Sequence, residues 1–168
     1  MSPQKIEAAL ADLFEQWAGE SPKLILPLAP SGSERIYYRL QGSERAAIGT
    51  YSPNDRESRA FLEYSRHFHS KSLPVPEIYA EDLSTKVYLQ EDLGSTTLYS
   101  FLLQNDDYFP DYLAQIYKRV VEQLARLLGC RTFQTPGHTI DPLHYIRRKG
   151  SMHMVRAVFI PQGTPNMY

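Results

Sequence analysis

The sequence predicts an α+β domain: an antiparallel five-stranded sheet served by amphipathic helices. Three observations carry that expectation. Short apolar runs separated by turn formers recur at Lys23–Leu28, Ile36–Leu40 and Ala46–Tyr51, which reads as a meander. Residues 75–94, VPEIYAEDLSTKVYLQEDLG, hold two strand-forming runs around a polar turn, Asp82 to Lys86, which reads as a hairpin. Apolar residues at helical spacing precede the meander and separate it from the hairpin.

Composition sets the frame. The chain has 168 residues, 42% of them hydrophobic, and a net charge of −1. That suffices for one domain with a core, or a domain plus an appendage. The even charge balance speaks against nucleic acid and anionic membrane surfaces as partners. A single cysteine, Cys130, excludes an internal disulfide and a cysteine-based zinc site. The first twenty residues carry acids throughout and read as neither signal peptide nor membrane span, so the expected location is cytoplasmic.

In chain order, Ser2-Pro3 opens a helix, with serine at the N-cap and proline in its first turn. Ile6, Leu10, Leu13, Phe14 and Trp17 share one face, and Gly19 ends the helix. Pro27, late in the first strand, predicts an edge position or strand terminus. The following connection, Ser31-Gly32-Ser33, is small and hydroxyl-rich, with Arg35 just behind it. Such a loop either closes a plain hairpin or lies over a polyphosphate. In the second case its backbone N–H groups face the anion and arginine forks onto the oxygens.

Asn54 or Asp55 caps the second helix, expected over Asp55–Lys71, on which Glu57 and Glu63 are the two acids that could face inward. The break at Ser72-Leu73-Pro74 leads into the hairpin, whose second strand exits through Gln90-Glu91-Asp92-Leu93-Gly94. A strand leaving a sheet there presents backbone groups able to read the edge of a planar ligand. Ser95-Thr96-Thr97 then caps a short helix bearing Leu98, Phe101 and Leu102. Asp111–Leu128 is a long amphipathic helix ending at Gly129.

This order, with the segments SGSERIYYRL (31–40), LPVPEI (73–78) and LQEDLG (89–94), resembles the N-terminal lobe of a protein-kinase-like phosphotransferase. More narrowly it resembles the aminoglycoside phosphotransferase and choline kinase superfamily, in the branch of bacterial N-acetylmuramate/N-acetylglucosamine anomeric kinases. The resemblance covers residues 3 to about 129. It implies a nucleotide-binding lobe over 1–94, the start of a helical second lobe over 95–129, and a tail, 130–168, outside the family fold. It further implies Mg-ATP as cofactor, and an acceptor such as an amino sugar in the full-length family. Ser31, Gly32, Ser33 and Arg35 would cover the phosphates. Gln90, Glu91, Asp92 and Leu93 would be the hinge that pairs with adenine, and Glu57 the inward acid of the kinase helix.

Two departures stand against the pattern. The third strand, Ala46–Tyr51, lacks the lysine that a kinase pairs with its helix glutamate; Gly49 or Thr50 occupies the approximate position, and Arg35 is the candidate substitute. The catalytic motif H-G-D-x-x-x-x-N and the metal-binding aspartate that follow the long helix in the family are not found in 130–168. In that segment His138, His144 and His153, with Asp141, match no common metal-ligand spacing. The loss of pattern after Leu128 reads as a truncated chain or a frame change. No catalytic or metal-ligating residue is therefore expected, and the chain alone should be inactive. Helix 111–128, uncovered, predicts self-association. The alternative reading is a non-catalytic, kinase-like module that binds a nucleotide or a partner.

Overall fold

The structure, a computed structural model, describes residues 1–30, 34–97, 115–116, 118–123, 126, 133–135 and 138–140. It divides into two compact units: residues 1–66 with 76–92, and residues 67–75 with 93–168.

The first unit is the expected α+β body. Helix α1 spans Pro3–Ala18. The Ser2 carbonyl accepts the N–H groups of Lys5 and Ile6, and Gly19 closes the helix with a left-handed φ of 73°. The strands are β1 (Leu24–Pro27), β2 (Ile36–Gln41), β3 (Ala46–Tyr51), β4 (Ile78–Asp82) and β5 (Val87–Gln90), with helix α2 (Asp55–Ser70) between β3 and β4. All neighbours are antiparallel, in the order β1-β2-β3-β5-β4. Pro27 ends an edge strand, where its missing N–H costs no ladder bond.

Alternation divides the sheet into two faces. On one, Tyr38, Leu40, Ala47, Val87 and Leu89 form the core with Ile6, Leu10, Leu13 and Phe14 of α1. Gly49 lies on this face, and a Cβ there would stand 2.6 Å from Leu40 Cδ1 and 2.7 Å from Leu10 Cδ2. The absence of a side chain is what lets α1 settle onto β3. Gly49→Ala should therefore destabilise the fold by about 1–2 kcal/mol, the usual cost of overpacking a filled core, read as a lower urea midpoint. A bulge between Ile78 and Ala80 turns Tyr79 to stack on Trp17 at 4.4 Å.

The opposite face carries the other register set: Tyr37 and Arg39 of β2, Ile48 and Thr50 of β3, Tyr88 and Gln90 of β5. Arg39 lies opposite Ile48, which lies opposite Gln90; Tyr37 lies opposite Thr50, which lies opposite Tyr88. Phe61 of α2 meets this face at Tyr88, with ring centroids 5.5 Å apart.

Carboxylates fasten the turns. Glu20 accepts the N–H groups of Ser43 (2.8 Å), Glu44 and Arg45 in the β2–β3 turn. A Cβ at Gly42 would meet that carboxylate, which would have to shift to make room. Asp82 accepts from Ser84 N–H, Ser84 Oγ and Thr85 Oγ1 in the β4–β5 turn. Backbone donors, with the Ser43 side chain, hold Glu20 down to about 2, and the side chains of Ser84 and Thr85 hold Asp82 down to about 2. Both pKa values are depressed on folding. Their stabilisation is present above the unfolded values near 4.5 and 3.8 and is lost as pH falls towards 2. Glu20→Gln and Asp82→Asn should each flatten the acid limb of a stability–pH curve between pH 4.5 and 2; an acid limb as steep as the wild type's would show that these turns are not what titrates.

In the second unit, the end of α2 is closed by Leu73 N–H on the Phe68 carbonyl at 3.0 Å, with Ser72 at φ 53°. Residues 115–116, 118–123 and 126 are helical, within the span expected as the long helix. Val121 there is 59% exposed. Ser95, Thr96 and Thr97 are not helical, and the apolar residues of the short helix expected after them lie outside the described residues. In the stretch read as an irregular tail, β6 (Phe133–Thr135) pairs antiparallel with β7 (His138–Ile140). The turn-forming dipeptide Pro136-Gly137 stands between them in sequence. No helix among the described residues is long and apolar enough to cross a membrane.

Candidate functional site

The sheet face away from α1 gathers the chemistry-bearing residues of the first unit. Arg35 immediately precedes β2 and shares the face of Tyr37 and Arg39 by two-residue alternation. It is 5% exposed. Its Nη2 donates to Glu57 Oε1 at 3.1 Å, and the guanidinium carbon lies 4.8 Å from the centroid of the Phe61 ring. Burial works against its charge, but the Tyr88 and Tyr37 phenols and the Glu57 carboxylate outweigh that, so its pKa ends above the ordinary value.

Glu57 is delivered by the start of α2. Asn54 caps the helix, its Oδ1 accepting Glu57 N–H at 3.2 Å and its carbonyl accepting Ser58 N–H. The cap fixes the helical phase, and that phase separates the two candidate acids: Glu57 turns to Arg35, whereas Glu63 is exposed. The expectation that Glu63 could face inward is corrected accordingly. It stands on the solvent side because the buried positions of α2 are Ser58, Phe61, Leu62, Tyr64, Ser65 and Phe68. The helix start is also tied to the hairpin, since Lys86 Nζ lies 3.2 Å from Asp55 Oδ1 and donates to the Pro53 carbonyl.

Gly49 faces α1, so a lysine there would point into the core. Thr50 faces the Arg35 side and is fully buried. The cation on this face that meets the α2 glutamate comes from the start of β2 instead.

Chain exit from β5 supplies the other half. Glu91 N–H donates to the Glu77 carbonyl at 2.9 Å, and Glu77 N–H donates to Glu91 Oε2 at 3.2 Å, so Glu91 clasps the exit to the segment before β4. Asp92 reaches back to β2, with Oδ2 at 2.6 Å from Arg39 Nε and Oδ1 accepting from Arg39 Nη2 at 3.0 Å. The structure thus brings Arg35 to Glu57, and sets Gln90, Glu91 and Asp92 along the same sheet's exit. Leu93 is half-buried. Ser31, Gly32 and Ser33 lie outside the described residues.

The sequence has a relative among known proteins. The chain is similar to a sugar kinase. Over 95 residues it is 30% identical to the N-acetylmuramate/N-acetylglucosamine kinase of Pseudomonas aeruginosa, a match covering 55% of this chain and 28% of that enzyme. The chain therefore spans well under a third of the relative it matches. No family model matches. The likeness supports a kinase relationship at the level of the family.

Sequence reasoning missed Arg39 and Phe61 as members of the site. Alternation from Arg35 through Tyr37 would have found Arg39, and the i, i+4 spacing from Glu57 would have found Phe61.

Proposed function

We propose that residues 1–94 are the nucleotide-binding lobe of an ATP-dependent phosphotransferase of the aminoglycoside phosphotransferase-like superfamily, with an amino sugar as acceptor in the complete enzyme. The observation that carries the reading is the Arg35–Glu57 pair, a buried cation held by the α2 acid on the sheet face that ends in the β5 exit. A kinase needs this combination of a fixed cation for the phosphates and a backbone edge for the base. The likeness to the Pseudomonas kinase supports the same assignment.

The residues fit a nucleotide. Arg35 Nε and Thr50 Oγ1 are buried and make no hydrogen bond among the described residues, so an incoming acceptor would complete them. Glu91 N–H is committed to Glu77, so the base would be read by other backbone groups of the β5 exit. Among the described residues no group of three or more His, Cys, Asp or Glu is placed to hold a metal.

The lack of an H-G-D-x-x-x-x-N motif in the sequence favours a second reading of this chain's own behaviour: a lobe that binds nucleotide, or a partner protein, without turnover. A thermal-shift titration with Mg-ATP, Mg-GTP and adenosine tests the first step. At a ligand concentration ten times its dissociation constant, binding to the folded state adds about 1.4 kcal/mol, a shift of several degrees. A folded sample whose melting point none of the three ligands moves would sink the nucleotide reading.

A further inference from the structure

Arg39 and Asp92 are not on adjacent strands. Arg39 belongs to β2 and Asp92 follows β5, with β3 running between them. The side chain of Arg39 therefore crosses the sheet face above Ile48, its partner in register, to reach the β5 exit. A pair formed only to join strands would gain little at partial exposure, and neighbouring strands would offer shorter routes. Nη2 donates to Oδ1 at 3.0 Å, and Nε lies 2.6 Å from Oδ2 as a charge contact without hydrogen-bond alignment. Two contacts to one carboxylate hold the guanidinium at the β5 exit. Arg39 retains 23% side-chain exposure and Asp92 16%, so the pair lies at the surface of this sheet face rather than within the core.

We propose that Arg39 is a base-stacking residue: its guanidinium, held by Asp92, is the flat wall against which a purine ring lies while the ring's edge meets the backbone of the β5 exit. This rests on the nucleotide reading above and adds to it the element that recognises the base, distinct from Arg35, which serves the phosphates. A guanidinium suits the task because it is planar, weakly hydrated and attracted to aromatic faces; an ammonium shares only the charge. Asp92 acts through Arg39 and is a positioning residue.

Charge and stacking separate in an experiment that uses a base without phosphates and phosphates without a base. Wild type, Arg39→Ala, Arg39→Lys and Asp92→Asn, each checked for a cooperative melt, are titrated with adenosine, Mg-ATP and Mg-tripolyphosphate by thermal shift. Arg39→Ala should weaken adenosine and ATP about tenfold, the scale of one desolvated cation–π contact, and leave tripolyphosphate within twofold. Arg39→Lys should behave like Arg39→Ala towards adenosine. Asp92→Asn should fall between them and wild type. Adenosine binding unchanged in Arg39→Ala, or tripolyphosphate lost as strongly as adenosine, overturns the stacking role and leaves the nucleotide reading standing. Wild-type protein that binds neither adenosine nor ATP overturns both.

Discussion

Replacing Glu57 by alanine should lower the unfolding free energy of the sheet unit by about 3 kcal/mol. Arg35 is 5% exposed and keeps its charge at any accessible pH, so removing its carboxylate strands a buried cation. Breaking a fully buried pair costs about 3–5 kcal/mol. Two features of this site moderate that figure. Glu57 is 24% exposed, so water can enter the vacated place, and the Phe61 ring remains against the guanidinium. A third works the other way, because an acid in the first turn of α2 also favours the helix by a few tenths of a kcal/mol. The Arg66–Glu81 pair is the control. Its nitrogen–oxygen distance is shorter, 2.6 Å, but its side chains are 53% and 31% exposed, and Glu81→Ala should cost less than about 1 kcal/mol. Urea unfolding decides it: a lower midpoint at unchanged slope for Glu57→Ala, and near identity with wild type for Glu81→Ala. The double variant Arg35→Met with Glu57→Ala should recover part of the loss, since an apolar side chain has no charge to strand. Equal losses at Glu57 and Glu81 would mean that the buried pair carries no special weight.

Local structure was legible in the sequence because its determinants are local. Ile6, Leu10, Leu13, Phe14 and Trp17 repeat at helical spacing, and the structure buries the first four and half-buries the fifth. Turn residues bounded all five strands to within two residues of their observed ends. Strand order is a different kind of information, because pairing between β3 and β5 joins segments separated by a whole helix. One clue was present all the same. Val87, Tyr88 and Leu89 are apolar in succession and are buried on both faces, as an inner strand must be, whereas β4 carries Glu81 and Asp82 and takes the edge. The Arg39–Asp92 contact depends on that order and was hidden with it. The Arg35–Glu57 contact depends on the helical phase that Asn54 sets, so spacing alone left Glu57 and Glu63 both open and only the family resemblance singled out Glu57.

Replacing Arg35 by alanine should reduce Mg-ATP affinity at least tenfold while leaving adenosine affinity within twofold. The ion pair is asymmetric. Loss of Arg35 leaves behind a carboxylate that is partly exposed and lies at a helix N-terminus, where negative charge is tolerated. The fold should thus survive this change better than the loss of Glu57, and binding can be read on folded protein. What disappears is the cation that the α2 acid holds on the sheet face, in a strand context where Gly49 points into the core and Thr50 brings no charge. A charge-assisted contact to phosphate oxygens is worth about 1.5–3 kcal/mol, so one such contact already exceeds a tenfold change. Arg35→Lys keeps the charge but not the fork that spans Glu57 and a phosphate together, and should recover only part of the affinity. Arg66→Ala removes an arginine of the same helix-and-sheet unit that is 53% exposed and pairs with Glu81, and should leave ATP binding unchanged. If Arg35→Ala and Arg66→Ala weaken ATP equally, Arg35 is a structural cation and the phosphate charge must come from elsewhere. If Arg35→Ala weakens adenosine as much as ATP, the defect is in the shape of the lobe and not in its charge.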